Sequence, residues 1–336
     1  MVQAGSRVFY SMTKRGFSEE EEEERLKLPK LAMDVPGIQR YLVGIEYIGT
    51  RFSGWQRQGG VRTVQGTLED AFSSFMGQSV STTGSSRTDA GVHALRNVFH
   101  VDLARTSKRK PGELLAPHPP DVIVRAVNHF LQRESADVQV VDARFVPPDF
   151  HARFRAKERT YYYRILAGSC RASLFERDRA WHVEEPLNLI AMQSACQVLL
   201  GTHDFSSFRA SGCQAASPIK TLEELSIRET VSWPHFLTGC SSNAQSSNPD
   251  LKSYVVTARA QSFLYHQVRL MVGTLKGVGA GKRTVEDVRK ILEGRSISLA
   301  LPMAPASGLF LADVKYDMED TAGPRTLSGC GSPTVS

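Results

Sequence analysis

Between residues 40 and 316, strand-like and helix-like segments alternate, each too short to stand alone, and this interspersion limits the architecture more than any other feature of the chain. ERTYYYRILA from Glu158 sets Tyr161, Tyr163 and Ile165 on one side and Tyr162, Arg164 and Leu166 on the other, the period-two pattern of a half-buried strand. RYLVGIEYI, NVFHVDL, VQVVDARFV, IKTLEELSI, SYVVTARAQSF and GLFLADVKY read as further strands, with Val98, His100 and Asp102 of the second expected to face away from Phe99, Val101 and Leu103. After Thr63, residues Val64, Leu68, Ala71, Phe72 and Phe75 recur at helical spacing. Ile123, Val127, Phe130 and Leu131 do the same, as do Leu189, Met192, Cys196 and Leu199, and then Val268, Met271, Val272 and Leu275. Thr284 caps one more short helix. The links are short and hairpin-like, and the second half loosely repeats the first. An α+β fold with mostly antiparallel pairing follows.

The boundaries fall where composition changes. Residues 1–37 read as a disordered acidic tail or a presequence, because an unbroken block from Glu19 to Glu24 follows seventeen residues whose only charges are positive. Residues 38–146 form one half, closed by Pro147 and Pro148, and residues 147–317 the other; 318–336 read as a second disordered tail. The Ser- and Asn-rich stretch 232–252 reads as a long hairpin loop or an insertion.

Several function classes lack their markers. No apolar run approaches the ~18 residues of a membrane-spanning helix, so no membrane partner is expected. Five cysteines, odd in number and without a C-x-x-C pair, suit reduced thiols inside a cell rather than a disulfide framework. The cytoplasm or nucleus is favoured, with a mitochondrion or plastid left open. P-loop, dinucleotide-binding, G-x-S-x-G and H-E-x-x-H patterns are missing, and the histidines lack ligand spacing, so neither metal nor cofactor is expected. Net charge is +6, and residues 1–36 hold six basic and seven acidic residues, so the body is the basic part. Such a body suits a polyanion, although a solvated basic surface gives the same count.

Two segments concentrate chemistry. In GSSRTDAGVH, from Gly84 to His93, small residues surround one guanidinium, Arg87, and one carboxylate, Asp89; either a reactive turn or an Asx turn with Asp89 bonding its own backbone accounts for it. In FHARFRAKERTYYYR, aromatic rings interleave with Arg153, Arg155, Lys157, Arg159 and Arg164, a mixture that suits a splayed RNA strand and equally an ordinary strand with a charged face.

SSRTDAGVHA is similar to the G-R-T-D-A-G-V-H-A segment of the TruA family of tRNA pseudouridine synthases. The resemblance continues in order through YIGTRFSGWQRQ, FHARFRAKERTYYYR, GTHDFSSFRA, SFLYHQVRLMVG and ASGLFL, spanning residues 40–316. It implies two pseudo-related halves around a central, mostly antiparallel sheet with a basic cleft between them. By matched position it makes Asp89 the catalytic carboxylate and Arg87 the residue that helps extrude the target nucleotide. Tyr161 becomes the ring stacked on the uracil, Arg269 the ionic partner of Asp89, and Leu309 part of an apolar wall. Arg153, Arg155, Arg105, Lys108, Arg109 and Lys110 are expected to meet RNA phosphates.

The implied activity is isomerisation of uridine to pseudouridine in RNA, foremost tRNA, by base flipping and one aspartate. A monomer and a homodimer are both compatible. An inactive RNA-binding protein on the same fold, or a glycosylase-like hydrolase, is the alternative; pseudouridine formation in bulk tRNA, or release of free uracil, separates them. Ser85 and Ser86 stand where bacterial members more often carry Ala and Gly, closer to the eukaryotic branch, and Thr160 replaces a second basic residue.

Overall fold

The computed structural model describes residues 37–110, 112–134, 136–231 and 251–317. Residues 1–36, 318–336 and 232–250 lie outside the described residues, and with them both expected tails and nearly all of the expected hairpin loop or insertion.

In chain order the elements are β1 (Ile38–Tyr47), α1 (Val64–Met76), β2 (Thr82–Gly84), β3 (His93–Ala104), α2 (Pro120–Arg133), β4 (Val138–Phe145), β5 (Glu158–Ala167), β6 (Trp181–Val183), α3 (Leu189–Leu199), β7 (Gly201–Asp204), β8 (Ile219–Thr230), β9 (Lys252–Ala260), α4 (Gln267–Gly279), α5 (Val285–Glu293) and β10 (Leu309–Lys315). The strands form one ten-stranded sheet ordered β4-β1-β3-β10-β5-β9-β8-β7, with β2 added to β3 and β6 to β5. Pairing is antiparallel except where β10 meets β3 and where β6 meets β5. The fold is α+β, as the interspersed periods require.

Local chemistry explains the helix ends. Thr63 caps α1 by accepting the Gly66 N–H at 3.2 Å, and α1 stops at Gly77 in the left-handed region. Thr284 and Asp287 form a reciprocal capping box on α5, with bonds of 3.1 and 2.9 Å. Helix α2 has no side-chain cap and starts on Pro120, whose missing N–H costs a helix nothing there.

Apolar side chains collect into two cores. The first joins Leu68 and Phe72 of α1, Ile123, Val127 and Leu131 of α2, and the inner residues of β1, β3 and β4. Phe150, Ala152 and Ala156 belong to it too, as do Leu311 and Val314 of β10. The second joins α3, α4 and α5 to β5, β8 and β9, and also takes in Val92 and Leu309. Tyr161 packs against both cores.

Two expectations change. Part of the polar stretch before the catalytic-looking turn is the short strand β2, whose Thr82 N–H and hydroxyl are both bonded to buried Glu69 of α1. NVFHVDL does not alternate between buried and exposed: Val98, Phe99, His100, Val101 and Leu103 are all buried. β3 lies inside the sheet, and the 150–156 segment covers His100, whose Nδ1 accepts the Ala152 N–H at 3.1 Å.

Candidate active site

The segment between β2 and β3 crosses the junction of the two cores, and its backbone is tied down almost residue by residue. Ser85 N–H donates to the Val98 carbonyl at 2.8 Å and its hydroxyl to Asn97 Oδ1 at 3.0 Å. The amide of Asn97 reaches the Ser86 carbonyl at 3.2 Å and the Tyr47 hydroxyl at 3.3 Å, and Tyr47 shares a 2.7 Å bond with the Thr88 hydroxyl. Trp55 N–H takes the Thr88 carbonyl at 3.0 Å; Gly54 stands next to this contact, where a Cβ would lie 2.9 Å from the same oxygen. Gly91, with φ of +79°, lets the chain reverse into β3.

A single guanidinium grips the turn from below. Arg159 of β5, 8% exposed, donates Nε–H to Ser86 Oγ at 3.0 Å and Nη2–H to the carbonyls of Ser85 at 2.9 Å and Arg153 at 3.0 Å, and it also reaches the Gln261 carbonyl. Through its hydroxyl and its carbonyl, Ser86 links Arg159 to Asn97. The two serines at 85 and 86 are thus buried members of a continuous polar network.

Asp89 does not close an Asx turn. Its side chain, about one-fifth exposed, points across to the second core, where Arg269 of α4 donates Nη1–H to Oδ2 at 3.2 Å. Arg269 is held in place by Nε–H to the Ala304 carbonyl at 2.9 Å, and Ala304 N–H returns a 3.1 Å bond to the Arg269 carbonyl. Asp89 also lies at the N-terminal end of α4, whose unpaired N–H groups favour an anion.

Tyr161 stands beside this pair with its ring edge-on to Phe263, centroids 5.2 Å apart. Burial pushes its hydroxyl up to about 12; the Arg159 charge opposes this and the Asp89 charge adds to it. The phenol is therefore protonated at neutral pH, which suits a stacking ring and a hydrogen-bond donor far better than a base.

The other expected residues divide. Arg87 is exposed two residues before Asp89. Leu309 is buried in the second core opposite Tyr163, and Leu311, two residues on, pairs with Tyr161. Arg153 and Arg155 flank Arg159's anchor: the Arg153 carbonyl accepts from Arg159, and Arg155 is ion-paired with Asp149. Arg105, Lys108, Arg109 and Lys110 follow the far end of β3, whose twelve residues carry the chain roughly 35 Å from His93. There Arg105 Nη1 holds the Ala116 carbonyl at 3.1 Å and Lys110 pairs with Glu113, while Lys108 and Arg109 are exposed. That group cannot meet the same nucleotide as Asp89.

Two residues of the site escaped the sequence reading. Arg159 was only one cation among many in its segment. His266, whose Nε2 lies 3.2 Å from Asp89 Oδ2, was hidden inside SFLYHQVRLMVG. The signal that could have found it is its spacing from Arg269, three residues on, which puts both at one end and on one face of a helix.

The family model described as tRNA pseudouridine synthase matches residues 44–155 and 195–317. Curated relatives with the name tRNA pseudouridine synthase A come from Xanthobacter autotrophicus (42% identity over 284 residues), Caulobacter sp. strain K31 (40% over 282) and Rhodospirillum centenum (43% over 279). Each alignment covers 83 or 84% of this chain and the full length of the relative. These relatives are bacterial and lend nothing to a placement in the eukaryotic branch.

The buried fork of Arg159 gives a first test. Arg159→Met should cost about 2–3 kcal/mol in urea unfolding, because the Ser85 carbonyl and its neighbours lose a charged donor. It should also slow turnover more than it weakens RNA binding. Unfolding and turnover both at wild-type values would remove Arg159 from the site.

Proposed function

The chain belongs to the tRNA pseudouridine synthase family, and from that premise we propose that Asp89 is the carboxylate with which it isomerises uridine to pseudouridine in tRNA. The observation that carries this reading is the position of Asp89: a carboxylate on a locked turn of the first core, paired through Oδ2 with a cation of the second, beside the partly buried ring of Tyr161.

The reaction breaks the bond from C1′ to N1, turns the freed uracil, joins C5 to C1′, and moves the C5 proton away while N1 gains one. A carboxylate can drive it by attacking C1′ as a nucleophile or by taking a proton from C2′ to leave a glycal, and neither route calls for a metal or cofactor. Arg269 supports the anion in either case. The target must first leave the base stack, at a cost of a few kcal/mol. Arg87, exposed on the turn, then fills the space the nucleotide leaves. Tyr161 then holds the uracil by its face, where stacking restrains the ring yet permits rotation in its plane.

On this reading Arg153 and Arg155 meet phosphates near the target, and Lys108 and Arg109 bind a remote part of the tRNA. Leu309 contributes through the strand that backs Tyr161. Residues 38–146 and 147–317 act as two halves of one catalytic unit, and a homodimer is compatible with this arrangement. The protein works inside the cell, with cytoplasm or nucleus favoured over a mitochondrion or plastid, and among the described residues Cys170, Cys196 and Cys213 are free thiols. Among the described residues no helix is long and apolar enough to cross a membrane.

Asp89→Asn should leave thermal unfolding and tRNA affinity near wild type and abolish pseudouridine formation; pseudouridine made by folded Asp89→Asn protein would refute the assignment. Tyr161 separates ring from hydroxyl. Tyr161→Phe should keep most activity, because the protonated phenol is no base, whereas Tyr161→Ala loses ~1–3 kcal/mol of base stacking and most turnover. Release of tritium from uracil C5 measures both, and a Phe variant as slow as the Ala variant would contradict the stacking role.

A further inference from the structure

Helix α4 begins with an unfavourable residue. His266, its N-cap, has φ of +61°, a left-handed backbone that a side chain disfavours, and its imidazole makes no capping bond to the helix. The ring instead lies against Tyr265, centroids 3.7 Å apart, with Nε2 3.2 Å from Asp89 Oδ2. Arg269 Nη1 reaches that same oxygen at 3.2 Å, whereas Asp89 Oδ1 takes no hydrogen bond from the described residues. The guanidinium makes a hydrogen bond to that oxygen, the imidazole stands at contact distance from it without making one, and the left-handed backbone at residue 266 brings the ring there.

We propose that His266 is a positioning residue: with the target nucleotide bound, its ring, already 3.2 Å from Asp89 Oδ2, turns as a neutral imidazole to donate Nε2–H to that oxygen and, with Arg269, fixes the carboxylate plane so that Oδ1 is the oxygen presented to the ribose. This inference rests on Asp89 being the reacting carboxylate. One cation alone would let the carboxylate pivot about its bond to Oδ2; a second donor from a different direction removes that freedom. Neutrality matters as well, because an imidazolium would put a second full positive charge on Oδ2 and draw electron density from Oδ1.

The surroundings favour the neutral form. Burial lowers the His266 pKa below its ordinary value, Asp89 opposes that shift, and Arg269 adds to it. Apart from those two, the titratable groups around His266 are Tyr265 in its ring contact, Cys213, whose Sγ accepts the Tyr265 N–H at 3.4 Å, and Arg209, bound to the carbonyls of Cys213 and Ala215. Tyr161 lies beyond Asp89 and stays protonated. Acidification therefore meets the imidazole as the weakly basic group on Oδ2, and kcat should fall as His266 takes up a proton.

Two variants separate donor from ring. His266→Phe keeps the contact with Tyr265 and removes the donor; His266→Gln supplies an amide N–H from a position close to Nε2. For His266→Phe we expect kcat to fall about tenfold to a hundredfold, the worth of one hydrogen bond to a charged group, with KM and tRNA affinity unchanged. His266→Gln should recover most of that loss, and its kcat should lack the acid limb that the wild type shows below the ordinary histidine range. Wild-type turnover by folded His266→Phe overturns the proposal, as does a Gln variant that is equally slow or keeps the acid limb. Should His266→Phe unfold, the pH profile of His266→Gln decides alone. Asp89→Asn is measured alongside: turnover there would sink the reading of Asp89 itself, whereas a dead Asp89→Asn with an unaffected His266→Phe sinks only the role of His266.

Discussion

The contact between Asp89 and Arg269 is the constraint around which the structure is arranged. One partner sits on a turn of the first core and the other on the first turn of a helix in the second, 180 residues on. The ion pair exists only if the two halves hold their relation, and the sheet supplies that relation. β10, made last, inserts between β3 and β5, parallel to one and antiparallel to the other, so the two halves share one hydrogen-bonded surface. Leu309 and Leu311 on that strand belong to different cores.

An ion pair this sheltered is of use only if its carboxylate cannot swing, and much of the buried polarity of the molecule serves that end. Arg159 lies beneath the turn, donating to the Ser86 hydroxyl and to the carbonyls of Ser85 and Arg153. A planar fork of donors that grips several acceptors at once fixes the conformation of the turn. Tyr47, Asn97 and Thr88 complete the floor from the first core. Tyr161, packed on both cores, inherits its fixed orientation from them.

The helices and most strands were legible because their signals are local. Thr63 and Thr284 announce helix starts through their own hydroxyls, and the alternating tyrosines of β5 announce a strand through their side chains. Asp89, Arg87, Tyr161 and Arg269 were legible only through resemblance, since nothing local tells a reactive carboxylate from an Asx turn. The parallel seam of β3 with β10 was not legible, because two register pairs between segments so distant leave no periodic mark. The burial of both faces of β3 was missed for the same reason: the residues that cover His100 lie some fifty positions away. A basic composition also says nothing of place: the cations at 105–110 follow the end of β3, whereas Arg153 and Arg155 belong to the segment that covers His100 within that strand.

Removing the cation from the central pair tests this account most directly. In Arg269→Met, single-turnover pseudouridine formation on saturating tRNA should fall about a hundredfold or more, as when a preorganised charge partner is lost from an active site, with tRNA affinity little altered. Thermal unfolding, measured on the same protein, should remain a single cooperative transition at only modestly lower temperature. Turnover within a few-fold of wild type, in a protein with that unfolding profile, would contradict the claim that the Asp89–Arg269 contact organises the site.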